Sequence, residues 1–408
     1  MLINKGSEQK RLKNNILALS AQAATAKSRD PMVINATSGM LKNEDGSQFA
    51  FACVKKVMEG LSDEEKFAYA NSFGTPSFAQ AVLLSIFGDH LSPMLQQCCL
   101  DAIATPGGSG ALSLAFAHYA NPGETILLPN HMWENYLNLT AERGLKSSVY
   151  RLFDEAGHFD FDGLKKKAEF ILKHQKRVLI LLNDPCENPT GFCMEDSDYD
   201  ALLDMARNDP EHDYVFAMDI AYFDFYDEDG SIIQKRFAKM GNLPDNAIAL
   251  FAYSGSKSFG LYGLRIGGLA ALSKDPHEIE VFHHAMDYSC RATWSSSSKL
   301  GIRIIEKLVL DDAARAIYEE ERKSVYQMLF KRSQAFLEAA KAVGLKTLPY
   351  TRGFFLCVPC LDPQATMETL HEDGVYLIPT AHCLRIALCA INLEEAKRLP
   401  AILKARLP

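Results

Sequence analysis

The sequence carries no block of basic residues, no apolar run of membrane-spanning length, no internal repeat and no low-complexity or Pro/Ser-rich tract. Each absence closes off a class of function. Lys and Arg number 43 against 51 Asp and Glu, a formal net charge of −8, and a mildly acidic chain without a basic stripe is a poor partner for nucleic acid. Ahead of Asp30 the one apolar stretch runs from Ile16 to Leu19, too short for the apolar region of a signal peptide or for a membrane span. The expectation is a cytoplasmic protein that meets no membrane. The ten cysteines lie singly or in close pairs, which suits reduced core thiols better than a disulfide framework in so long a chain. "CVPC" at 357 to 360 has no second Cys pair and follows the strand-like "GFFL", so it reads as a buried strand end and no metal site is expected.

What is present is a large apolar fraction, 48% of 408 residues, enough for two or three tightly joined domains. The middle of the chain alternates short apolar runs with helix-length segments. "TILLP" (125 to 129), "VLILL" (178 to 182), "YVFAM" (214 to 218) and "IALFAY" (248 to 253) are apolar at nearly every residue, as in strands covered on both faces. The fold class expected is α/β: a large domain with a mainly parallel sheet flanked by helices, plus a smaller α+β domain. From about Asp311 a long amphipathic helix should run to Gly344, followed by the strand-like runs "GFFLCV", "GVYLI" and "LRIALCAI" and a last helix. The boundaries expected are 1–46 for an N-terminal segment joining the small domain, 47–310 for the large domain and 311–408 for the small one.

Four polar signals fall just after apolar strands or at a helix start, where open parallel sheets bind ligands. In "TPGGSGALSLAFAHYA" Gly107, Gly108, Ser109 and Gly110 run into a helix, offering free N–H groups and the positive end of the helix dipole to an anion, although an ordinary N-cap at Ser109 would look the same. In "NDPCENPTG" two prolines and Gly191 hold Asn188 near a strand end. In "MDIAYFDF" Asp219 ends a strand, where a buried carboxylate needs a cationic partner, and Tyr222 follows three residues later. A surface Asp at a helix start is the plainer alternative. In "SGSKSFGLYGLRIG" Ser254, Ser256 and Arg265 suit a phosphate, and Lys257 is left among small residues as an amine able to form a Schiff base. A phosphate, a ring nitrogen needing an acid, a phenolic oxygen needing donors and an aldehyde needing a lysine together describe pyridoxal 5′-phosphate.

With "NPTG", "DIAY" and "SGSK" followed by "RIG" in that order over nearly the whole chain, the sequence resembles the fold-type I pyridoxal-phosphate enzymes, and among them the class I aspartate and aromatic amino acid aminotransferases. The resemblance implies an aspartate aminotransferase-like fold, with Lys257 as the Schiff-base lysine and Asp219 at the pyridine nitrogen. It also implies Asn188 and Tyr222 at the ring hydroxyl, and Gly108, Ser109, Ser254, Arg265 and, more weakly, Ser256 at the phosphate. Trp133 would stack on the ring, and Tyr69 would reach the phosphate of a neighbouring subunit in a homodimer with shared active sites. Arg385 would clamp the substrate α-carboxylate in a pocket lined by Phe355 and Gly39. Arg291 would meet a distal carboxylate across the dimer, a surface or helix-end role being the alternative. The sequence departs from the family pattern at Tyr136, where His is common three residues after the Trp, at Trp294, where Tyr is usual, and at Ser38, where Ile is common. All three touch the substrate pocket.

The activity implied is exchange of an amino group between an L-amino acid, aspartate or aromatic, and a 2-oxo acid, with 2-oxoglutarate the expected acceptor. A lyase on the same fold is the nearest alternative. A cofactor-binding regulator is a further one, for which the segment before Asp30 is small and not basic enough to be a DNA-binding module.

Overall fold

The computed structural model describes residues 2–3, 5–8, 10–12 and 16–407. Residues 1, 4, 9, 13–15 and 408, parts of the segments expected at either end of the chain, lie outside the described residues.

The twelve strands in chain order are β1 (Ile34–Asn35), β2 (Cys99–Thr105), β3 (Thr125–Pro129), β4 (Lys146–Tyr150), β5 (Arg177–Asn183), β6 (Asp213–Asp219), β7 (Ala247–Ser254), β8 (Gly267–Ser273), β9 (Phe355–Pro359), β10 (Val375–Tyr376), β11 (Ile378–Pro379) and β12 (Cys383–Ala387). Seven of them form one sheet in the order β2-β8-β7-β6-β5-β3-β4. Its pairs are parallel except those that β8 makes with β2 and β7. The all-apolar strands have the burial their composition calls for. In β5, Val178, Ile180 and Leu182 feed one core while Leu179 and Leu181 feed the other, and β6 divides in the same way, Phe216 and Met218 against Val215 and Ala217. A strand buried on both faces gains nothing from polar alternation, so it reads as a continuous apolar run.

Three strands escape the simple pattern. In "GGLAALS" of β8 and "CLDAIAT" of β2 small residues replace branched ones, and "KSSVY" of β4 lies at the sheet edge with its first residues exposed. "GVYLI" is not one strand. Leu377 separates β10, which pairs in parallel with β1, from β11, which pairs antiparallel with β12. "LRIALCAI" likewise ends as a strand at Ala387 and continues as a single 3₁₀ turn, Leu388–Ala390.

The long helix spans Asp312–Ala342 and is capped by Asp311, whose side chain accepts from the Ala314 N–H at 3.0 Å. Gly344, at φ +66°, takes the left-handed conformation that ends it. Its N-terminal half packs Tyr318, Val325 and Leu329 into the core of the large sheet, and its C-terminal half packs Phe336 and Ala340 into a separate core with Leu356, Ile386 and Leu399. Fully buried Arg332 on this helix donates to the carbonyls of Lys42 and Cys389 and pairs with Glu44. That contact ties the N-terminal segment to the C-terminal quarter of the chain.

Candidate active site

Lys257 follows β7 in the short helical turn Gly255–Ser258. Its Nζ donates to the Gly39 carbonyl at 3.0 Å and lies 5.4 Å from the Tyr222 ring centre and 5.1 Å from that of Tyr262. Gly39 sits in a tight spot: a Cβ there would stand 3.1 Å from the Phe355 ring, which would have to give slightly, and 3.5 Å from the Lys257 amine. Desolvation pulls the amine down from 10.5 to about 8, Cys389 opposes this, and the Arg385 and Arg265 charges add to it. The result is a lysine with a sizeable neutral fraction near neutral pH, as an amine nucleophile needs.

Asp219 ends β6 and is buried, which removes the surface, helix-start alternative. One carboxyl oxygen accepts from the Tyr136 hydroxyl at 2.6 Å and the other from the Ala221 N–H at 3.1 Å. Burial raises its pKa and these two donors work against that rise. Tyr136 stands where the family pattern would put His; the sequence assigned it to the substrate pocket, but the fold sets its hydroxyl against the Asp219 carboxyl. The bond reaches across 83 residues, so no local pattern announces it. Trp133 packs edge-on against the same Tyr136, ring centres 5.5 Å apart.

A chain of hydrogen bonds joins the backbone carbonyl of Asp219 to an arginine. Asn183 donates from Nδ2 to the Asp219 carbonyl at 2.8 Å and accepts on Oδ1 from the Asn188 N–H at 2.8 Å. Asn188 Oδ1 then accepts from Arg385 Nη1 at 3.2 Å, and Arg385 Nη2 donates to the Thr37 carbonyl at 2.8 Å. Asn183 and Thr37 were not legible as site residues. Arg385 lies 4.5 Å over the Phe355 ring centre, and its buried Nε has no partner among the described residues. A buried guanidinium with a donor to spare is suited to a carboxylate.

The helix after β2 begins at Gly107, with Pro106 at the cap position and no side chain capping it. Ser109 is therefore inside the first turn, not the N-cap, and the N–H groups of Gly107, Gly108 and Ser109 face outward from the helix start. Ser254 packs on Gly108, its Cβ 3.5 Å from where a Cβ would be. Arg265, in the left-handed region at φ +51°, donates to Ser256 Oγ at 3.2 Å and to the Tyr262 carbonyl at 3.0 Å. Its guanidinium passes so close to Gly107 that a Cβ there would be 2.7 Å from Nη2. These residues lie together beside Lys257, and an uncapped helix start next to a guanidinium suits an anion.

Two expected residues stand apart. Tyr69 is 93% exposed. Arg291, near the end of the helix Pro276–Thr293, is exposed and donates to Ser295 Oγ at 2.7 Å. Among the described residues no His, Cys, Asp and Glu cluster could hold a metal ion, all ten cysteines are free, and no helix is long and apolar enough to cross a membrane.

The profile of the family described as aminotransferase class I and II matches residues 31–403. The aromatic-amino-acid aminotransferase of Pseudomonas aeruginosa is 28% identical over 366 residues, 88% of each chain. The aspartate aminotransferase of Escherichia coli is 27% identical over 321 residues, 77% of this chain and 78% of the relative. Among solved structures, an aminotransferase from Anaerococcus prevotii is similar with a TM-score of 0.95 at 27% identity, over 100% of this chain and 99% of its own.

Proposed function

The chain belongs to the class I and II aminotransferases, enzymes that work with pyridoxal 5′-phosphate, and from that premise we propose that it moves the amino group of aspartate or an aromatic amino acid to 2-oxoglutarate. The similarity to relatives bearing both substrate names supports that pair of donors. The observation that carries the site assignment is the convergence on one lysine of a donor-bound buried carboxyl, an arginine with an unpartnered Nε and an uncapped helix start.

These residues fit the cofactor. Gly108, Ser109, Ser254, Ser256 and Arg265 would hold the phosphate, Asn188 and Tyr222 the phenolic oxygen, and Trp133 the ring face, with Lys257 bonded to the aldehyde. When bound, the cofactor supplies a protonated pyridine ring that takes up electrons released at the substrate Cα. The remaining work falls to the chain. Asp219, satisfied by Tyr136 and the Ala221 N–H, would as a carboxylate keep the ring nitrogen protonated. Arg385 grips the α-carboxylate beside Phe355 and Gly39, which fixes Cα over Lys257. Lys257 would serve as the general base that takes the substrate Cα proton and returns it on the product side.

The same reading makes the enzyme a homodimer, Tyr69 reaching the partner's phosphate site and Arg291 offering a guanidinium to a distal carboxylate. The exposure of both side chains supports it. Ten free thiols support a cytoplasmic setting. We divide the chain at 46/47 and 310/311, a division supported by the pairing of β1 with β10 and by the separate core around Phe336.

The test is a single-turnover assay of the cofactor-loaded enzyme with aspartate, glutamate, tyrosine and phenylalanine, followed by turnover with 2-oxoglutarate as acceptor. Conversion of the cofactor to its amine form by glutamate and by one of the other donors is expected. No conversion with any of the four sinks the assignment.

A further inference from the structure

Glu187 has no part in the steps above, yet it lies between Asn183 and Asn188 in the loop that follows β5. It is 1% exposed. One carboxyl oxygen accepts from the Thr190 N–H at 2.8 Å and from the Thr190 hydroxyl, while the other, Oε1, is buried without a partner. The titratable groups that feel its charge come from every element around it. They are Asp219 at the end of β6, Tyr136 of the helix Asn135–Glu142, Tyr150 at the end of β4, Cys357 of β9, and Cys383 of β12. Cys383 is itself hydrogen-bonded by Cys357, His131 and Thr380.

We propose that Glu187 is a positioning residue: as a neutral acid it leaves Asp219 the sole carboxylate beneath the cofactor ring, and as a carboxylate it strengthens the hold of Asp219 on the ring-nitrogen proton. The inference rests on the cofactor reading given above. Two carboxyl groups in one buried region do not ionise together cheaply; each has two donors here, but both of Glu187's fall on one oxygen and leave Oε1 without a partner, so the proton goes to Glu187. Asp219 has a donor on each oxygen, and a ring N–H would add a third. Glu187 has donors on one oxygen only. Burial, reinforced by Cys383 and Asp219 and opposed by Thr190, pushes Glu187 up to about 8.

The plain structural alternative is that Glu187 only pins Thr190 in the loop. Glu187→Gln separates the two, since its amide oxygen still accepts from Thr190 but never ionises. In the cofactor-loaded wild type, infrared difference spectra should show a neutral-carboxyl C=O band that disappears as pH rises past about 8, and the E187Q protein should lack it. The pH midpoint of the bound cofactor's visible absorbance should fall in E187Q by about half a unit or more, because the added negative charge is gone. Thr190→Val, which keeps the backbone donor and loses the hydroxyl, should move the carboxyl transition to higher pH, and it stands as the test if E187Q does not fold. A coloured E187Q enzyme with the wild-type midpoint, whether or not the carboxyl band is lost, overturns this inference alone. Protein that takes up no coloured cofactor in either form overturns it together with the functional reading.

Discussion

At Lys257 a single proton governs both capture of the cofactor and the stability of the empty protein. The folded-state pKa of about 8 lies below the usual 10.5, so between those values the unfolded chain binds more protons than the native one. The contribution of this group to stability therefore rises with pH across that window. Covalent capture should accelerate as pH climbs through 8 and then level off, which stopped-flow absorbance would follow. Lys257→Ala should cost about 10²- to 10⁴-fold in turnover from the lost proton transfer alone, with no borohydride-trapped adduct at this position in mass spectra. Tyr136→Phe removes the 2.6 Å donor from Asp219 and leaves a buried carboxylate oxygen without a partner, a loss of about 1–3 kcal/mol. It should appear as faster cofactor release under dialysis. Lys257 and Asp219 could be picked out because each sits in a short run of unusual neighbours. Glu187 could not, since a glutamate in a polar loop looks solvated until the fold buries it.

Among the elements, the proposed anion site depends on a helix start and a loop brought together from opposite ends of the large sheet's sequence. Gly107 has φ +74°, and a Cβ would lie 2.7 Å from Arg265 Nη2. Gly107→Ala is therefore expected to displace the guanidinium and to weaken cofactor binding by ten-fold or more, about 1.4 kcal/mol, as measured by fluorescence titration. The Gly-rich run could be read as a candidate anion site because free N–H groups open a helix there, though by itself an ordinary N-cap at Ser109 would look the same. Strands β2 and β8 were not, because the glycines and alanines of "GGLAALS" answer to close packing: a Cβ on Gly267 would be 2.6 Å from the Gly107 backbone. The split of "GVYLI" was equally hidden, for it arises from two different partner strands that the local pattern does not name.

For the whole molecule, the proposed homodimer would place the exposed Tyr69 and Arg291 on a shared surface. Light scattering should give about twice the 45.3 kDa of one chain. Mixing a Tyr69→Phe, Arg291→Ala protein with an Arg385→Ala protein should recover activity in the hybrid dimer, where one of the two sites inherits a full set of residues. Absence of recovery in a hybrid verified by mass would remove the shared-site reading.

The sequence by itself determined the α/β class and the positions of the central buried strands, and it singled out the lysine, acid, asparagine and arginine proposed to carry the chemistry. Those signals are local: strands covered on both faces must be apolar throughout, and a ligand that approaches the backbone demands small residues nearby. Only the tertiary structure decided that Tyr136 braces Asp219, that Asn183 and Thr37 complete the line to Arg385, and that Glu187 is buried with one oxygen unpartnered. Each of these depends on residues far apart in the chain, and desolvation, which sets their charge, exists only once the chain has closed around them.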